Sequence, residues 1–170
     1  MEAPGPGFPE TVARKVLTRK EAEALLSRAG RSGKTLALAN GCFDLLHVGH
    51  VRYLQGAKAE ASLLLVAVNA DASVRRLKGE GRPLQNEADR AEIVASLACV
   101  DFVTVFPEDT VVPLIEALEP DVHCKGTDYT AETVPEREAV RAHGGRVAIV
   151  GDPKDHATTE ILERIARRRT

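Results

Sequence analysis

The sequence predicts an α/β fold: a single Rossmann-like, doubly wound domain with a five-stranded, mostly parallel sheet. Three observations predict it. Short apolar runs without polar alternation, SLLLVAVN (62–69) above all, read as strands covered on both faces. These runs alternate with segments of helical spacing, which means βαβ units with right-handed crossovers. A segment rich in glycine and histidine, NGCFDLLHVGH (40–50), sits where the first strand gives way to a helix. Sheets of this kind bind ligands beyond the carboxyl ends of their strands.

Each element has its own local signal. Residues 1–13 read as a flexible leader from the Pro and Gly of MEAPGPGFPE, and 14–170 as the domain. Thr18 and Glu21 have capping-box spacing, and EAEALLSRA continues as a helix until Gly30. TLALA (35–39) is too short for a buried helix and reads as the first strand. HVRYLQGAKA places Val51, Leu54 and Ala57 on one helical face, and SLLLVAVN follows as the second strand. Asp71 is placed to cap the short helix ASVRRL, KGEGRPLQN (78–86) reads as a mobile polar loop, and Asn86 caps EADRAEIVASLA. DFVTVF, DVHCK and RVAIV complete the strands. TVVPLIEAL, PEREAVRAH (stopped by Gly144-Gly145) and TTEILERIARR complete the helices. No internal repeat and no second domain are visible.

Composition narrows the function classes. The chain has 170 residues, enough to bury a core without staples. With 23 basic against 25 acidic residues, no polyanion-binding surface spreads over the protein, and no nucleic-acid partner is expected. No apolar run approaches the roughly 20 residues of a membrane span, and no signal peptide is evident, so no membrane partner is expected either. Cys42, Cys99 and Cys124 lie far apart and form no CxxC pair. They read as reduced thiols of a cytoplasmic protein.

The chemistry concentrates at 40–50. Asn40-Gly41 ends the strand sharply, and Gly41 and Gly49 let the backbone approach a ligand closely. Amides at the start of the following helix form an anion site that the helix dipole reinforces. His47 and His50 are spaced i, i+3, so both fall on one side of a first helical turn, able to donate to phosphoryl oxygens. A lone histidine there would read as structural, and a zinc pair would need a further ligand that the sequence does not offer. No metal-binding residue is therefore assigned. The pair flanking a glycine, after a strand and before a helix, favours phosphate binding. Asp44 has two readings, holding a sugar hydroxyl or holding its own loop. Asn69 and Asp71, at the end of the second strand, carry the same pair of readings. Lys125, Gly126 and Asp128 follow the fourth strand, and either meet nucleotide or form an ordinary turn. Thr158 and Thr159 open the last helix as phosphate ligands, simple caps, or both.

GCFDLLHVGH resembles the HxGH signature of the nucleotidyltransferase superfamily. AVNADASVRRLKGEGRPLQNEADR, CKGTDYTAETVPE and HATTEIL occur in the same order in one branch of it, the D-glycero-β-D-manno-heptose 1-phosphate adenylyltransferases. The resemblance runs from about Arg14 to Arg167. It implies transfer of AMP from ATP to the sugar 1-phosphate, with pyrophosphate released and ADP-heptose made for lipopolysaccharide or another heptose-containing glycan. The attacking phosphate is already ionised, so the work is positioning and charge neutralisation. On this resemblance His47, His50 and Lys78 are the catalytic residues. Asn40, Gly41, Cys42, Phe43, Gly49, Lys125, Gly126, Asp128, Thr158 and Thr159 contact nucleotide. Asp44, Asn69, Asp71, Arg82 and Arg90 serve the sugar phosphate. A surface position is the other reading of Arg90, and a solvated loop lysine that of Lys78. Mg²⁺ would ride on the phosphates and keep most of its waters. A homo-oligomer, a dimer, is the expected assembly.

The chain departs from the branch at two places. Ala157-Thr158-Thr159 stands where the branch has Ser-Thr-Thr, and Glu60-Ala61-Ser62 where it has Leu-Gly-Asp. The alternatives are a cytidylyltransferase for a polyol or amino-alcohol phosphate, and a catalytically silent nucleotide-binding module.

Overall fold

The computed structural model describes residues 10–153 and Arg167. The first half runs α1 (Glu10–Ala13), β1 (Val16–Leu17), α2 (Arg19–Leu26), β2 (Leu36–Gly41), α3 (Val48–Ala59) and β3 (Leu63–Asn69). The second runs α4 (Asp71–Lys78), α5 (Glu87–Ala95), β4 (Phe102–Phe106), α6 (Val112–Leu118), β5 (Val122–Lys125), α7 (Arg137–Ala142) and β6 (Arg146–Ile149). The final helix expected over TTEILERIARR, with Thr158 and Thr159, lies outside the described residues.

The strands form one sheet in the order β1-β4-β3-β2-β5-β6, and every adjacent pair is parallel. The sheet has six strands where the sequence predicts five. The extra one is β1, whose two residues pair with Val103 and Thr104 at the edge. Two residues are too few to display any periodicity, so the sequence gives no sign of it. From β2 the order steps to β3 and β4 on one side and to β5 and β6 on the other. The sheet is thus doubly wound, with its switch point between β2 and β5.

Alternate residues of each strand feed opposite faces. On one face Ala37, Ala39, Val66 and Val68 pack with Leu54 of α3 and Val94 of α5. On the other, Leu36, Leu38, Leu65 and Ala67 meet Leu26 of α2, Leu114 and Ile115 of α6 and Val140 of α7. β3 is buried from Leu64 to Asn69, as its unbroken apolar run requires. At roughly 25 cal/mol per Å² of apolar area removed from water, these two aliphatic layers supply the main driving force for folding.

Helix ends show which local signals hold. Thr18 accepts from the Glu21 amide, and the Glu21 carboxylate accepts from the Thr18 amide at 2.7 Å, a complete capping box. Asn86 caps α5 by accepting from the Asp89 amide at 2.9 Å. By contrast α2 stops at Leu26, short of Gly30. The buried guanidinium of Arg31 takes the carbonyls of Leu26, Leu118 and Glu119, satisfying acceptors where the helix breaks off. The cap of α4 is Ala70 rather than Asp71, which is the first helical residue with its carboxylate drawn to Arg90. Within the stretch expected to be leader, Glu10–Ala13 form α1, and Val12 packs against the core. No helix among the described residues is long and apolar enough to cross a membrane.

Candidate active site

The carboxyl ends of β2, β3, β5 and β6 open into one cleft of about 680 Å³, a volume suited to a small ligand. Its floor begins with β2. Gly41 ends the strand, and a Cβ there would meet the Phe43 ring at 3.1 Å. The glycine therefore makes room for Phe43, which is buried and held at φ 49 in the left-handed region. Gly41 itself still lines the cleft, as the sequence predicts.

The turn at Phe43 delivers His47 to the N-cap of α3 and His50 to its third residue. Their rings stack at 3.9 Å between centroids, inclined by 29°, and Phe43 leans on His50 at 5.2 Å. His50 Nδ1 accepts from the His47 amide at 3.4 Å, which leaves Nε2 as the ring's donor. Burial, and then the neighbouring His47, push His50 down to about 4 against an opposing backbone bond at Leu45. At neutral pH it is an uncharged donor at a helix N-terminus, where amides already favour anions.

Asp44 lies beside this turn and lines the cleft. Its carboxylate accepts from Arg82 Nη1 at 2.6 Å and from the amides of Leu84 at 2.6 Å and Gln85 at 3.2 Å. It holds the loop after α4. Burial opposes its ionisation, but the Arg82 bond, the Gln85 and Leu84 amides and the Arg82 charge hold its carboxyl below the usual range. Arg82 and Lys78, the exposed last residue of α4, line the β3 side of the cleft.

Two residues expected at the sugar site lie under the cleft instead. Arg90 is 0% exposed, so it is neither a surface residue nor part of the cleft lining. It donates to Cys42 O at 2.6 Å, Gln85 O at 3.0 Å and Asp71 Oδ1 at 2.7 Å, tying two loops and the start of α4 together. Asp71, engaged by Arg90, does not reach the lining. Asn69 and Cys42 do line the cleft, with Cys42 Sγ 4.0 Å from Asn69 Oδ1 and Asn69 Nδ2 bonded to Ser73.

On the β5 side Lys125, only 8% exposed, donates to Asn40 Oδ1 at 3.1 Å and Glu136 Oε1 at 3.2 Å. Its ammonium lies 5.4 Å from the centre of the Tyr129 ring. A Cβ on Gly126 would meet nothing within 4 Å, and Gly126 and the exposed Asp128 both line the cleft. Arg52 adds a fourth cation to the lining. The sequence reading missed Tyr129, although it belongs to CKGTDYT, and Glu136 and His123, for which no local pattern exists. Gly49 lines the cleft as expected. Among the described residues no cluster of three or more His, Cys, Asp or Glu stands ready to hold a metal.

The cleft thus gathers an uncharged His50, His47 at the helix N-cap, the helix amides and four cations, three of them ion-paired with Asp44, Glu136 and Asp152. Residues 38–165 match the cytidylyltransferase-like family, and the chain belongs to that family. It is 49% identical over 154 residues to the bifunctional protein HldE of Syntrophotalea carbinolica, covering 91% of this chain and 31% of that one. It is 54% identical over 142 residues to HldE of Geotalea uraniireducens, covering 84% and 29%. The chain thus spans under a third of the length of these relatives. A crystal structure of the lipopolysaccharide core biosynthesis protein from Thermoplasma volcanium superimposes with a TM-score of 0.62 at 25% identity. The match covers 72% of this chain and all of that one.

Proposed function

We propose that this chain transfers AMP from ATP to D-glycero-β-D-manno-heptose 1-phosphate, giving ADP-heptose and pyrophosphate for lipopolysaccharide or another heptose-containing glycan. The observation that carries the reading is the stacked His47–His50 pair at the start of α3, facing a cleft lined by Lys78 and Lys125. The ordered motifs of the heptose branch, the HldE relatives and the likeness to a lipopolysaccharide core biosynthesis protein support the choice of substrate.

A phosphate oxygen of the sugar phosphate attacks the α-phosphorus of ATP, the bond to the bridging α–β oxygen breaks, and pyrophosphate leaves with that oxygen. No proton need move, because the nucleophile is already an anion. His47 and His50 donate to the phosphate oxygens as charge shifts toward pyrophosphate, and Lys78 closes from the rim. Lys125, Gly126 and Asp128 contact the nucleoside side, while Asn69 and the Arg82-bearing loop border the sugar phosphate. Thr158 and Thr159 extend the nucleotide contacts on the strength of the motif alone. Mg²⁺ bound to the triphosphate would neutralise charge there; with Asp44 already taken by Arg82, the cleft fits a cation carried by the ligand rather than by a carboxylate cage. The enzyme is a cytoplasmic homo-oligomer in this reading, with 14–170 as its catalytic domain.

The test is a pyrophosphate-release matrix of ATP, CTP, GTP and UTP against sugar and alcohol phosphates. ATP with the heptose phosphate gives the highest turnover. Rapid use of CTP but not ATP would replace this reading with a cytidylyltransferase, and ATP binding without product across the panel would replace it with a silent module.

A further inference from the structure

Register places three polar side chains side by side on the sheet. Leu38 pairs with His123 across β2 and β5, so Asn40, two residues past Leu38, projects from the same face as His123 and Lys125. The Asn40 amide meets both. Its Oδ1 lies 3.1 Å from Lys125 Nζ and 3.1 Å from His123 Nε2.

The identity of these atoms follows from chemistry. An ammonium only donates, so the Asn40 atom facing Lys125 is the carbonyl oxygen. An oxygen facing His123 Nε2 in turn requires that nitrogen to carry the proton. His123 is 0% exposed, and burial together with the Lys125 charge pushes it down to about 3, so it stays neutral with one N–H. Its Nδ1 has no partner among the described residues. The ring makes its hydrogen bond to Asn40. Glu136, 7% exposed, holds Lys125 from the other side. With Oδ1 claimed twice, the end of the amide left for the cleft, which Asn40 lines, is the NH₂ group.

We propose that His123 and Lys125 lock the Asn40 amide so that its N–H groups face the cleft as fixed donors to a phosphate oxygen of the bound nucleotide. His123 is then a positioning residue that acts through Asn40, and a fully buried histidine on a core strand has a function. The proposal rests on the nucleotide-binding reading above.

The probes are ATP and, separately, inorganic pyrophosphate, titrated calorimetrically onto the full chain, with pyrophosphate-release kinetics alongside. Asn40→Asp keeps an oxygen for His123 and Lys125 but turns an anion toward the ligand. It should weaken ATP binding at least tenfold. His123→Leu removes the lock and should raise the dissociation constant and KM about fivefold or more, with kcat less affected. His123→Gln, whose amide N–H falls near the Nε2 position, should stay within about threefold of the parent. Equal ATP affinity in the parent and Asn40→Asp proteins, or equal losses in the Leu and Gln variants, overturns the proposal. Should the variants melt early, the side-chain amide resonances of Asn40 in the parent decide: a shift on adding ATP supports it, and no shift refutes it. A parent that binds neither ATP nor pyrophosphate overturns the nucleotide reading together with the proposal. A parent that binds both while Asn40→Asp binds equally well overturns the proposal alone.

Discussion

The Asp44 carboxylate accepts a hydrogen bond from Arg82 Nη1 at 2.6 Å, joining the histidine turn to a residue 38 positions further along the chain. The same carboxylate collects the amides of Leu84 and Gln85. The loop that closes one side of the cleft is therefore fastened to the turn that carries the histidines.

Asp44→Asn keeps the shape but removes the charge. It should cost about 2 kcal/mol of stability, the range for a charged hydrogen bond, and release the Leu84 and Gln85 amides to faster hydrogen exchange. Because the native carboxyl titrates below its unfolded value, its contribution is present above about pH 3.9 and fades as pH falls through the lowered native value. Unchanged exchange at Leu84 in the variant would show that the loop is held by something else.

His47→Ala and His50→Ala should each lower kcat by about 10²–10³-fold, the scale for losing one preorganised donor. Far-UV circular dichroism should not change. Activity within a factor of three of the parent would remove the pair from the chemistry.

His50 should titrate near 4 in the free protein, by nitrogen-detected NMR, and higher once ATP is bound, because an anion stabilises the imidazolium. The sign for stability follows. Between pH 4 and about 6.5 the unfolded chain binds the proton that the folded one refuses, so His50 makes stability rise with pH across that window. A free-protein value near 6.5 contradicts the burial that sets this donor's charge.

The Lys78 side chain is exposed and makes no hydrogen bond or ion pair among the described residues. Lys78→Ala should leave the melting temperature unchanged while weakening nucleotide use about 10–100-fold, as for a lost charged hydrogen bond. A lowered melting temperature would mean that it supports the fold.

Arg90→Met should destabilise by about 3–5 kcal/mol, since it strands the Asp71 carboxylate and the Cys42 carbonyl. Chemical denaturation measures this directly. Arg90→Lys should recover little, because one ammonium cannot span three acceptors in a plane. A loss below 1 kcal/mol would mean that those acceptors find other partners.

These residues also mark how far the sequence could be read. The strands β2, β3, β4 and β6 were legible as largely apolar runs bounded by turn residues, β5 by its place in the alternation of strands and helices, and the Thr18 and Asn86 caps because capping is local. β1 was not, since an edge pair of two residues leaves no period. The i, i+3 spacing marked His47 and His50, the family resemblance added Lys78, and the end of the fourth strand added Lys125; all four line a single cleft. What it could not supply was the division of labour among the remaining polar residues. Asp44 finds its partner 38 positions away and Arg90 its farthest 48 positions away, while the end of α2 depends on carbonyls of the α6 terminus. Such contacts exist only in the folded chain. Nor does a histidine within DVHCK announce that its partner is an asparagine on the neighbouring strand.

The strand order has a consequence for the birth of the molecule. Asn40 and Lys125 touch although 85 positions separate them, because β5 slots in beside β2 after β3 and β4 have gone to the other side. A nascent chain that has not yet emitted β5 carries both histidines but only half a pocket. A ligand that spans the cleft can therefore be gripped only once β5 is in place, and its binding would then hold the two halves of the sheet together.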